Sequence, residues 1–158
     1  MGLFCRIIQA EDMPEIIDFE TKKLQESVPD EMERTLLSWN ARWRRESLEH
    51  YLPLGWSFLV RDQDASGAYT DQGVLVGYFL AQPLLFLDGQ TQSLWVEHIQ
   101  YASLQARDEL CDLAYKLSRE KHFQKVFFPN VSGVSNSISG LKAEPWSPAI
   151  MQVKTTKA

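Results

Sequence analysis

Cysteine is scarce in this chain: Cys5 and Cys111 are the two among 158 residues, too few to staple a secreted domain. Both fall at apolar positions, one in a predicted strand and one in a predicted helix, and read as buried free thiols. No apolar run approaches the roughly 18 residues that a membrane-spanning helix needs. The opening Met-Gly-Leu-Phe-Cys-Arg lacks the apolar region of a signal peptide, so a cytoplasmic protein without membrane partners is expected. A surplus of positive charge is missing too. The formal net charge is −5, and the one basic cluster, Arg42, Arg44 and Arg45, shares its segment with Glu33, Glu46 and Glu49. That is the pattern of a solvated helix face, and it argues against nucleic acid. His50, His98 and His122 lie far apart in the chain, and no Cys/His/Asp spacing suggests a metal site. Neither a Gly-x-Ser-x-Gly elbow nor a Walker-type loop occurs.

Hydrophobic residues make up 44% of the chain and aromatic residues 11%, enough to bury a full core and to exclude disorder. The length fits a single domain over residues 1–158.

Residues 3–8, Leu-Phe-Cys-Arg-Ile-Ile, read as a first strand. A helix follows, with Asp12 as cap, Pro14 in its first turn and Glu15 completing a capping-box-like pattern. Its buried stripe is Met13, Ile16, Ile17 and Leu24. Pro29 breaks it. A second helix is expected from Asp30 to Tyr51, carrying Leu36, Leu37, Trp39, Trp43, Leu48 and Tyr51. Trp39 and Trp43, four apart, would share a face and serve either as core or as the wall of a substrate cleft. Strands are expected over 55–61 and 73–82, and Pro83 implies a bulge, kink or strand end. Asp88-Gly89 marks a hairpin between 84–87 and 91–101.

The most legible stretch runs from Ser93 to Phe128. An aromatic, β-branched strand (93–102) precedes an amphipathic helix of about five turns. Its stripe is Leu110, Leu113, Ala114 and Leu117, with Arg107, Asp112, Arg119 and Glu120 turned outward. A short strand ending at Phe128 closes the unit. A crossover of that length makes the two strands parallel. Beyond it, 129–140 supports at most a short helix, and Trp146 to Lys154 could form a last strand. The fold class is therefore α+β: a mainly antiparallel sheet with one parallel β-α-β pair and helices on both faces.

Element order, the Glu11-Asp12 opening of the first helix and the run Leu117-Ser-Arg-Glu-Lys-His-Phe-Gln-Lys-Val-Phe-Phe128 are similar to the GNAT superfamily of acyl-CoA N-acyltransferases. In that family an Ala-x-Glu-x-Gly-Phe-type run precedes the fifth strand. The resemblance spans nearly the whole chain. It implies acyl-CoA, such as acetyl-CoA, as cosubstrate and a small-molecule or protein amine as acceptor.

The resemblance also implies where each part would sit. The backbone of Ile99, Gln100 and Tyr101 would hold the pantetheine arm, and the helix start bearing Ser103, Gln105 and Arg107 would receive the pyrophosphate. Ser103 is a good N-cap whose helix presents free amides, and Arg107 is suited to a phosphate; both equally suit a structural cap and a solvated charge. The family's Gln/Arg-x-x-Gly-x-Gly/Ala loop falls here on Ala102-Ser-Leu-Gln-Ala-Arg107, without a glycine.

Glu97, expected between Trp95 and Ile99 on one face of the strand, is the candidate general base. The family often carries a Glu on its fourth strand. His98, expected on the opposite face, is the rival base, and for either residue the alternative is a structural hydrogen bond. The family's general-acid Tyr has no counterpart between Asn130 and Trp146. A catalytically inactive GNAT-like module that has lost acyl-CoA binding is the competing reading. Exposed aromatics and an antiparallel edge are compatible with a homodimer.

Overall fold

β-branched and aromatic residues build a five-stranded sheet from β1 (Leu3–Ile7), β2 (Phe58–Asp62), β3 (Val74–Leu85), β4 (Gln92–Tyr101) and β5 (Lys125–Phe127). The computed structural model describes residues 2–63, 73–146 and 151–155. Spatial order follows chain order; neighbours are antiparallel except β4 and β5, which are parallel. The crossover between these two is α4 (Leu104–Glu120), as the Ser93–Phe128 pattern predicts.

Strand alternation sorts the core onto two faces. Tyr78 and Leu80 point to α1 (Met13–Ser27) and α3 (Arg45–Tyr51), where they meet Ile8, Ile16, Leu48 and Leu59. Phe79 and Ala81 point the other way, to Leu110, Cys111 and Ala114 of α4 and Val134 of α5 (Ser132–Ser137). Both cysteines are free, Cys111 buried and Cys5 partly so. Strand β3 runs on through Pro83, which stands opposite Leu94. Ala81 N–H points away from β4, to Ser57 Oγ at 3.1 Å. Pro83, two residues on, therefore puts its donorless nitrogen on the side where β2 has ended, and the ladder loses nothing.

The long second helix is in fact two. Helix α2 (Glu31–Trp39) ends at Asn40 (φ −112°, ψ 13°), and Arg44 is extended before α3 begins. Asparagine is a poor interior helix residue because its amide competes for backbone partners. Arg44 stabilises the break by donating from Nη1 to Trp39 O at 2.7 Å. Trp39 and Trp43 therefore share no face. Leu36, Leu37 and Trp39 are exposed, whereas Trp43 is half-buried. At the C-terminal side, Trp146 and residues 151–155 have no regular structure; the rest of the expected terminal strand lies outside the described residues.

The expected capping box does not form: Asp12 holds the N-cap position of α1, but its side chain makes no capping bond there, and Glu15 pairs with Arg61 instead. The Asp12 carboxylate accepts from Gln9 N–H at 2.8 Å and forms two 2.7 Å bonds to Arg6. Arg61, with 1% of its side chain exposed, reaches Asp12 at 3.5 Å and forms bonds of 2.7 and 2.9 Å to Glu15. Burial pushes the Asp12 carboxyl up, but Arg6, the Gln9 amide and Arg61 outweigh it and hold it below the usual carboxylate range. The folded state thus binds this proton more weakly than the unfolded chain. Its stabilisation is complete above about pH 4 and is lost as pH falls through the depressed folded value. Asp12→Asn is expected to cost about 2 kcal/mol at neutral pH and to flatten the acid limb, checked by urea unfolding across a pH series.

Candidate active site

The chemistry gathers on the second half of β4, where one extra residue interrupts the ladder. Leu80 pairs with His98 and Ala81 with Val96, so Glu97 has no partner on β3. Such a bulge re-aims the side chains around it. Val96 and Ile99 both enter the α4-side core, and two residues between them, not one, turn to the other face. This corrects two expectations. Ile99 does not share a face with Glu97, and His98 is not opposite it.

Glu97 meets Arg42, whose Nε lies 3.1 Å from Oε1; the carboxylate is 13% exposed. Its Oε2 is buried without a hydrogen-bond partner among the described residues. Arg42 comes from the α2–α3 break, so an unbroken helix would not have placed it there. His98 Nε2 lies 2.7 Å from Glu20 Oε2, and the Tyr78 hydroxyl donates to the same oxygen at 2.8 Å. Glu20 is 2% exposed. Burying a carboxylate is costly unless donors replace water, and these two do. Burial, then the neighbouring Glu20 charge, hold the Tyr78 phenol well above its ordinary range.

A cleft of about 280 Å³ opens here, lined by Glu20, Lys23, Leu24, Trp43, His98 and Gln100 among others. Trp43 thus lines this cleft, half-buried. Glu20 was not singled out in the sequence, although a signal existed. It stands four residues after Ile16 and four before Leu24, inside the apolar stripe of α1, where a carboxylate has to find a buried partner.

On its other edge β4 parts from β5. Pairing stops at Trp95 opposite Phe127. Ala102 N–H donates to Val76 O on β3 at 2.8 Å, so Ile99 and Tyr101 turn their N–H groups to the side that β5 has left. The Tyr101 amide is taken by its neighbour Gln100 Oε1 at 3.2 Å. The Tyr101 ring packs on the α4-side core, its hydroxyl against Gly133, where any Cβ would collide with it.

Two residues, Ala102 and Ser103, join β4 to α4. Ser103 caps the helix as expected, accepting from Ala106 N–H at 3.1 Å, and Gln105 is exposed in the first turn. Arg107 does not turn outward; it is 13% exposed and lies 3.0 Å from Asp108. Asp108 also accepts from Ser137 of α5 at 2.8 Å. That hydroxyl and Arg107 hold the Asp108 carboxyl below its ordinary range against the opposing effect of burial.

No family model and no curated protein matches this sequence. Solved structures do. A GCN5-related N-acetyltransferase from Ralstonia eutropha JMP134 superposes with a TM-score of 0.58 at 14% identity, covering 98% of this chain and 99% of that one. AAC(6')-Iy, in complex with the bisubstrate analogue CoA-S-monomethyl-acetylneamine, gives 0.59 at 14% identity, with 99% and 100% covered. Glucosamine-6-phosphate N-acetyltransferase from Arabidopsis thaliana gives 0.56 at 8% identity, with 97% and 99% covered. The chain has the GNAT fold.

Just after α4, His122 has φ +62°, a left-handed conformation that glycine adopts most cheaply. The two residues between β4 and α4 include no glycine, and the helix starts at once. Among the described residues no group of three or more His, Cys, Asp or Glu is gathered as a metal would require, and no helix is long and apolar enough to cross a membrane. A phenol held as Tyr78 is should not ionise in the native protein. Tyr78→Phe is therefore expected to leave the native absorbance rise near pH 10 unchanged, measured spectrophotometrically against wild type; a smaller rise in the variant would contradict the buried Tyr78–Glu20 bond.

Proposed function

We propose that this protein is an acyl-CoA-dependent N-acyltransferase, taking acetyl-CoA or another acyl-CoA and a primary amine, either a small molecule or a protein amine. The observation that carries the reading is the β4 bulge. It sets Glu97 and His98 side by side on the α1 face, next to the point where β4 and β5 part. The neutral amine, bound in the cleft against Trp43, attacks the thioester carbon, and Glu97 takes a proton from nitrogen as the C–N bond forms. The backbone of Ile99, Gln100 and Tyr101 receives the pantetheine arm along the open edge of β4, and the Ser103–Arg107 helix start, with Gln105, faces the pyrophosphate. Support also comes from the similar structures, two of them N-acetyltransferases by name and a third bound to a CoA bisubstrate analogue.

A second reading, a catalytically inactive GNAT-like binding module, has one observation in its favour. The two-residue β4–α4 connection has no glycine, and Arg107 is already paired with Asp108. A thermal-shift titration with acetyl-CoA and plain CoA separates the two. For the enzyme, saturating ligand raises Tm, equivalent to about 2.7 kcal/mol at a hundred times Kd. Arg107→Glu weakens the shift, and Glu97→Gln lowers kcat about a hundredfold or more. No shift at millimolar ligand leaves the binding module as the function.

A further inference from the structure

Resting on that acyl-transfer reading, we propose that the acceptor is a small amine that also carries an anionic group, received by Lys23 together with Gln100. The amine itself has to reach Glu97. What the rest of the acceptor meets is set by the other side chains of the cleft.

Size narrows the choice first. A volume of about 280 Å³ stands at the lower end for small-molecule sites, so the acceptor is compact. Helix α1 forms one wall with Glu20, Lys23, Leu24 and Ser27, and Trp43 stands in the wall with His98 and Gln100 of β4. Trp43 and Leu24 supply apolar surface for the carbon chain.

Charge narrows it further. The one carboxylate of this lining, Glu20, has its Oε2 covered by the Tyr78 hydroxyl and His98 Nε2. Lys23 has no such cover. Its neighbour Lys22 pairs with Asp18 at 3.2 Å, the ordinary arrangement four residues apart on a helix. The same spacing from Lys23 falls on Phe19 and Ser27, neither of which is charged. Among the described residues no carboxylate forms an ion pair with its ammonium. Lys23 is half-buried, and a cation drawn from water without a partner is costly. Arg42, the cation just before Trp43, is already engaged by Glu97.

Gln100 adds the second donor. Its Oε1 accepts from the Tyr101 amide at 3.2 Å, which leaves its amino group as the end without a partner among the described residues. An ammonium and an amide N–H on one cleft suit a carboxylate or a phosphate. Lys23 follows Glu20 by one turn, about 5–6 Å between Cβ atoms, and Glu20 touches His98, the neighbour of Glu97. A short chain between amine and anion spans that interval.

The test offers wild type three amines of similar length with acetyl-CoA: 4-aminobutyrate, O-phosphoethanolamine and n-butylamine, with thiol release followed. At least one anionic amine is expected to exceed butylamine in kcat/KM about tenfold or more, the worth of one charge-assisted hydrogen bond. Which of the two does so tells a carboxylate from a phosphate. Lys23→Met keeps the apolar stem and removes the charge, and the preference should fall by a similar factor through KM. Lys23→Arg should retain it, as should Lys22→Met. Each preference is a ratio within one sample, so partial loss of stability cancels. Butylamine used as well as both anionic amines, or a preference that survives Lys23→Met undiminished, overturns this inference and leaves the acyl-transfer reading standing. So does a protein whose Tm acetyl-CoA raises but which acylates none of the three. Wild type that is inactive on all three and unshifted by acetyl-CoA overturns that reading and this inference with it.

Discussion

An extra residue in β4 governs how this molecule presents its polar chemistry. Without the bulge at Glu97, alternation would send His98 toward the α4-side core, where Leu110, Cys111 and Ala114 offer it nothing to bond. With the bulge, Val96 and Ile99 keep their places in that core while two titratable residues turn together to α1 and the α2–α3 connection. The strand thus preserves its apolar packing on one face and changes register on the other. The contact of His98 with Glu20, and its place in the cleft wall beside Trp43, follow from that shift.

Helix α1 supplies the counterweights in two different ways. Near its start, Asp12 and Glu15 are neutralised by Arg6 and by Arg61 from β2. An ion pair this deeply buried often contributes little over an apolar substitute, yet removing one partner alone is strongly destabilising. Two turns later, Glu20 is equally buried but has no arginine; its partners are a hydroxyl and an imidazole. Arginine never gives up its proton in a protein, so the first cluster is a fixed clamp between α1 and the sheet. The second ties α1 to β3 and β4 through a hydroxyl and an imidazole on one carboxylate oxygen.

A phosphate group at the start of α4 would meet a stricter constraint. A pyrophosphate is held best by several backbone N–H groups converging at a helix start, and glycine lets that backbone come close. Here the connection is Ala102 and Ser103, and Ser103 Oγ already takes the Ala106 amide. Arg107 is drawn into a small network with Asp108 and Ser137 that ties α4 to α5. Any phosphate has to compete with Asp108 for that guanidinium, which sets the balance between a weak cofactor site and a purely structural helix start.

Much of the architecture followed from the sequence alone. Period-2 and period-3.6 patterns are local properties, so the meander, the first helix, and the Ser93–Phe128 strand-helix-strand unit with its parallel pair were all readable. Ser103 was readable as a cap because capping depends on a few neighbouring residues. Tertiary structure decided the rest. Asn40 ended a helix that periodicity alone would have continued, because Arg44 could satisfy the freed carbonyl of Trp39. The bulge depended on which residues of β3 lay opposite β4, a pairing between segments that no single-strand pattern encodes. The partners of Glu97 and His98 come from Arg42 and Glu20, which lie 55 and 78 positions earlier in the chain. Sequence named the groups able to do chemistry; only the long-range pairing of strands and helices determined which of them meet, because a side chain's partners are set by where the backbone carries it.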